Sequence, residues 1–192
     1  TKSLRKYNKW ILAFGGALLM VTFLFSGNNN PFQRDPGNMV VAEVTGRSIK
    51  QKDRLRAAQE FDALKGFAPM LIEGQLGIKN DTHWMLLADE AEKAGLVGER
   101  ADGVSWIPEL AQDEVVGEYM ARFGPQVLRM LSPEMIKGEI EKRQSTLEQF
   151  RPQAAARARL QLEQFDHALS RLRGVVRLVN SYSEAARMSD KA

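Results

Sequence analysis

The chain has 192 residues and no cysteine, so disulfides and thiolate metal sites are excluded from the start. Its net charge of +3 misleads if read globally. Four of the 27 basic residues precede Trp10, and the remainder holds 23 basic against 24 acidic side chains, a balance that argues against a nucleic-acid surface.

The first nine residues carry Lys2, Arg5, Lys6 and Lys9 and no acid. From Trp10 to Phe25 there is no charge, and Thr22 is the single polar side chain. With Ser26 and Gly27 this run makes ~27 Å of helix, close to the thickness of a bilayer core. Positive charge is retained on the cytoplasmic side, so the pattern predicts a single span with the amino end inside. A secretory signal peptide is the rival. Its apolar core is usually shorter, and the small-x-small cleavage pattern is poor here, because Leu24 or Phe25 stands where a small residue is needed. A retained anchor is the favoured reading. The organisation expected is a cytoplasmic basic segment (1–9), a transmembrane helix (10–27), a tether rich in Asn, Gly and Pro (28–38) and one helical domain (39–192).

That domain opens with alternation at Val40, Ala42 and Val44. Thr45-Gly46 offers a two-residue turn, and Arg47-Ser48-Ile49 a return strand. A helix follows, with Leu55, Ala58, Phe61 and Leu64 on one face. Residues 66–79 hold Gly66, Pro69, Gly74 and Gly77 and read as loop or broken helix. Asn80 or Asp81 caps the next helix, whose stripe is Trp84, Leu87, Ala88 and Ala91, and Gly95 suits its left-handed stop. After Gly98 the pattern weakens. Trp106-Ile107-Pro108 suggests a buried elbow, and Val116, Tyr119, Met120 and Phe123 a helix ended by Gly124-Pro125. Ser132-Pro133-Glu134 is a cap, a first-turn proline and an early acid. Pro152 is expected to break or restart that helix. Leu162, Phe165, Leu169, Leu172, Val176 and Val179 then step by three and four along a last helix of about seven turns, an apolar seam that must meet another helix or a partner.

An anchor, a tether, the hairpin "VAEVTGRSI" and a helix, in that order, resemble the amino-terminal region of the SurA/PpiD family of periplasmic folding factors. Ala42, Val44, Gly46 and Ile49 match the family's hairpin, with Thr45 in place of its usual Asn. Ala91, Ala94, Gly95 and Leu96 match the end of a later helix. The resemblance implies a mainly α, multi-helix fold of the SurA amino-terminal type with one small β-hairpin. It also implies a chaperone-like domain that faces the periplasm from the inner membrane and binds unfolded or exported polypeptides. Its parent would be a peptidyl-prolyl isomerase-type folding factor, although this chain has neither the strand-rich pattern nor the catalytic residues of an isomerase domain. Residues 98–131 depart most from the family pattern.

Large apolar side chains on short helices can line a client groove, and methionine suits varied partners. The candidates are Phe67, Met70, Trp84, Trp106, Met120, Phe123 and Met130; for any one of them the core is the commoner place, and the groove reading rests on the set. His83 and His167 are far apart, and adjacent acids such as Asp89-Glu90 point apart on a helix, so no catalytic, cofactor or metal site is expected. The alternative function is a structural or adaptor protein that docks a partner, or a second copy, through its closing helix.

Overall fold

A computed structural model describes residues 36–44, 47–124, 126 and 132–189. The expected transmembrane helix (10–27), the Thr45-Gly46 turn and Met130 lie outside these residues. Among the described residues no helix is long and apolar enough to cross a membrane. The fold is mainly helical, with six α-helices and one two-stranded hairpin among the described residues. It divides into two units, Thr1–Lys52 and Asp53–Ala192.

In the first unit, a short 3-10 turn (Pro36–Asn38) precedes β1 (Val40–Val44) and β2 (Arg47–Lys50), which pair antiparallel. Val44 faces Arg47, Glu43 faces Ser48 and Ala42 faces Ile49; the ladder then slips, so that Val40 faces Lys50 and Val41 is the extra residue of a bulge. The bulge breaks the alternation: Met39, Val40 and Val41 are all exposed, while Ile49 is buried.

The second unit is built around its last helix. The six helices are α1 (Gln51–Phe67), α2 (Asp81–Lys93), α3 (Arg100–Ser105), α4 (Ile107–Phe123), α5 (Pro133–Arg157) and α6 (Leu162–Ser189). Helix α6 packs against α2, α3 and α5, and α4 packs against α5. Phe165, Leu169, Leu172, Val175 and Leu178 of α6 are buried in one apolar cluster with Leu64 of α1, Trp84 of α2 and Leu110 of α4. The seam read from Leu162 to Val179 therefore meets helices of its own chain: its members are buried or packed against that cluster.

Local chemistry explains both ends of α2, the start of α5 and the end of α4. Asn80 Oδ1 accepts from the His83 N–H (2.8 Å) at the start of α2, and Ser132 Oγ accepts from the Met135 N–H (3.3 Å) at the start of α5. Gly95 and Gly124 take positive φ, 68° and 80°, just past α2 and α4, where a Cβ would be strained. Between α1 and α2 the chain makes a wide turn over Met70–Gln75, with the Leu76 N–H reaching the Leu71 carbonyl five residues back. This is the broken helix expected for 66–79.

Three expectations need correction. Pro152 neither ends nor restarts its helix: α5 runs through it to Arg157. The missing N–H leaves the Glu148 carbonyl without its helical partner, but both residues lie on the exposed face, where water can bond it. Beyond the proline, buried Ala154 and Ala155 hold the helix to the core. Leu55 is exposed, and the face that α1 buries runs through Ala57, Glu60, Phe61 and Leu64 instead. Residues 100–105, where periodicity gave no signal, form α3. Its contact with α6 is made through a glycine: a Cβ on Gly103 would stand 2.5 Å from the Ser170 nitrogen and 2.6 Å from the Asp166 carbonyl oxygen.

Candidate client cleft between two helices

The seven candidate residues separate by environment. Phe67, Trp84 and Trp106 are sealed in the core. The Phe67 ring sits edge-on to Phe165, 5.2 Å between centroids, and stacks near Phe150 at 6.5 Å. The Trp84 indole donates to the buried Glu60 carboxylate (3.2 Å). Aromatic residues at helical spacing have gone inward, and none of these three can touch a visitor. Met70 is exposed on the wide turn after α1. Met120 and Phe123 are exposed on the last turns of α4, 42% and 56% respectively.

Phe123 lines a cleft of about 280 Å³ between α4 and α5. Helix α4 has two working faces here. Ile107, Leu110, Ala111 and Val115 point to the core, while Glu118, Tyr119, Arg122 and Phe123, at helical spacing over two turns, present a second face to the cleft. Val115, buried at 3%, forms the floor. The Tyr119 and Phe123 rings lie 6.0 Å apart at 32° and make one apolar wall. From α5, Glu139 and Arg143, one turn apart, make the other.

Arg143 holds the two helices together. One of its terminal nitrogens donates to Glu114 (3.1 Å) and the other to Glu118 (2.6 Å), both on α4. Glu114 is buried, and burial pushes its carboxyl above the usual range; Arg143 opposes that shift by charge and hydrogen bonding. The pair acts as a strut: α5 cannot close on α4 without deforming a charge-assisted fork. The guanidinium of Arg122 lies over the Phe123 ring, 5.3 Å from its centroid.

Sequence reasoning reached Met120 and Phe123 but missed Glu118, Arg122, Glu139 and Arg143. The α4 residues carried a signal, since Glu118, Tyr119, Arg122 and Phe123 repeat at three and four. The α5 residues carried none, because their role depends on two helices meeting through a connection that sequence periodicity does not fold.

A second polar cluster lies in the core. Glu60 accepts from Arg56 (2.9 Å), Trp84 and Arg171, and the Arg171 guanidinium also pairs with Glu92 (2.8 Å). This ties α1, α2 and α6 together. Among the described residues no group of three His, Cys, Asp or Glu converges on a point that a metal ion could occupy. No family model, curated protein or solved structure matches the chain.

Proposed function

We propose that this chain is a membrane-anchored, chaperone-like domain of a peptidyl-prolyl isomerase-type folding factor, facing the periplasm, and that the α4–α5 cleft holds unfolded or exported polypeptides. The observation that carries the reading is the placement of Phe123 and Met120. Phe123 is a large apolar side chain held in water on the wall of a cleft braced by a salt-bridged arginine, and Met120, not itself part of the cleft lining, is exposed on the same end of α4. Covering one such side chain stabilises a complex by about 1.5–3 kcal/mol, and an extended segment with an apolar residue can do so without a fixed sequence. The flexible Met120 thioether adapts to residues of different shape.

The test is suppression of aggregation of a chemically denatured client by the full chain. The wild-type chain slows light scattering at stoichiometric ratios. Phe123→Ser removes most of that protection without lowering the thermal midpoint, because the side chain lies outside the core. Leu55→Ser, at an equally exposed site on α1, leaves it intact. Equal protection by Phe123→Ser and wild type would remove the cleft from the account. Anchoring is tested separately by alkaline extraction of membranes, from which the full chain stays in the pellet; release of the intact chain would contradict it.

A further inference from the structure

We infer that the segments this cleft selects carry a lysine or arginine beside a large apolar residue. The inference rests on the client-groove reading above and adds charge to it. Arg143 is already consumed, since Glu114 and Glu118 take both of its terminal nitrogens. That leaves Glu139 on the α5 wall, lining the cleft and making no ion pair among the described residues. The fixed framework of Arg143 with three glutamates is thus net negative, and its uncommitted charge is a carboxylate. Among the described residues that line the cleft, the cation not locked into this framework is Arg122, whose guanidinium rests on the face of Phe123.

Arg122 indicates what the cleft accepts. The chain's own basic side chain lies against the apolar wall, within a cleft that also presents a free carboxylate. An arginine or lysine from a client can take the same kind of position. Its stem would pack on the Tyr119–Phe123 wall while its charge meets Glu139, and its neighbouring apolar residue would cover Phe123. Arg122 is exposed and makes no ion pair among the described residues, so it can swing into solvent at small cost. It is therefore a competitor that the client displaces. An acidic segment would meet Glu139 and Glu118 with like charge, and like charges across an interface reject the wrong partner.

The experiment is fluorescence anisotropy of labelled, unstructured peptides with the full chain. One peptide alternates Leu and Lys between Gly-Ser spacers. The second carries Glu for Lys, and the third Ser for Leu. At low salt the Leu/Lys peptide binds about fivefold tighter than the Leu/Glu peptide, a difference that shrinks as salt screens the charges; the Ser/Lys peptide does not bind measurably. Glu139→Gln removes most of the fivefold preference, and Arg122→Gln tightens Leu/Lys binding about twofold. Both positions are exposed, so neither variant threatens the fold. Equal affinity for Leu/Lys and Leu/Glu, or a preference that survives Glu139→Gln, overturns the inference. If both leucine peptides bind equally and Phe123→Ser abolishes both, the groove stands and the charge selection falls. If neither binds and Phe123→Ser still protects clients from aggregation, the groove reading itself has failed.

Discussion

Glu60 shows how much rests on single side chains. It is 1% exposed and mid-helix, a position where a carboxylate is tolerated only if its charge is met. Arg56, Trp84 and Arg171 meet it, and the Arg171 guanidinium also lies 5.8 Å from the Trp84 ring. Taking away Arg171 leaves the charge of this buried carboxylate to the exposed Arg56, so Arg171→Met lowers the unfolding free energy in urea by about 3 kcal/mol, the lower end for a broken buried pair. Glu60→Met combined with Arg171→Met strands neither and recovers most of that loss. If the double variant is as unstable as the single one, the network does more than neutralise itself. Nothing at sequence level marked this cluster: Glu60 reads as an ordinary helix-surface acid until α6 is folded over it. The same holds for Trp84 and Phe67, because periodicity tells which residues share a face but not whether that face meets a helix or a guest.

His167 lies beside the same network, with charges around it from three helices: Arg56 and Glu60 from α1, Glu92 from α2 and Arg171 from its own helix. Burial, reinforced by Arg56 and Arg171, holds its imidazole below the ordinary 6.5, against the pull of Glu60 and Glu92. The folded state therefore prefers the neutral ring. Between the lowered folded value and 6.5 the unfolded chain binds the proton and the fold does not, so stability falls as pH drops through that window. Denaturation series from about pH 7.5 to about pH 5.5 show wild type losing stability relative to His167→Gln. Parallel curves would mean that His167 is not the source.

Helices α3 and α6 illustrate what an element's position costs. Gly103 lets α3 lie against α6 backbone to backbone, so a side chain there has no flexible neighbour to push aside. A Cβ on Gly174 would meet Val97 Cγ2 at 2.7 Å, a side chain that can change rotamer, and more loosely the Leu96 carbonyl oxygen and Val97 Cα, each at 3.3 Å. Gly103→Ala accordingly destabilises by about 3 kcal/mol, at the upper end for overpacking. Gly174→Ala stays within about 1 kcal/mol of wild type, since the gain in helix propensity offsets the adjustment. Equal effects of the two in thermal melts would contradict the observed packing. Helix α2, with a cap, a stripe and a stop, was legible in the sequence, and so was the cap of α5; α3 was not. Six residues are too few for a period to emerge, and its defining feature is a glycine fitted to Asp166 and Ser170 on a distant helix. Pro152 misled for the complementary reason: a local breaker was overruled by the anchorage of Ala154 and Ala155 beyond it.

For the whole molecule, the mainly helical fold with its hairpin followed from residue order, and so did the need of the α6 seam to be covered, by a helix or by a partner. Which helix, and which apolar groups were left over, did not. The core takes Phe67, Trp84 and Trp106 because α6 supplies them with a common wall. The exposed Phe123 lies on a second face of α4, past the reach of that wall and beside the Arg143–Glu118 bridge, with Met120 exposed on the same helix end. The function proposed depends on this remainder rather than on the stripe that folds the chain. Its most direct test is a photoreactive phenylalanine analogue in place of Phe123 in the full chain, irradiated with a denatured client, with the same analogue in place of Leu55 as the reference. The account predicts client adducts from position 123 that are several times more abundant than those from position 55; equal yields from the two positions, or none from 123 while aggregation is still suppressed, would contradict it.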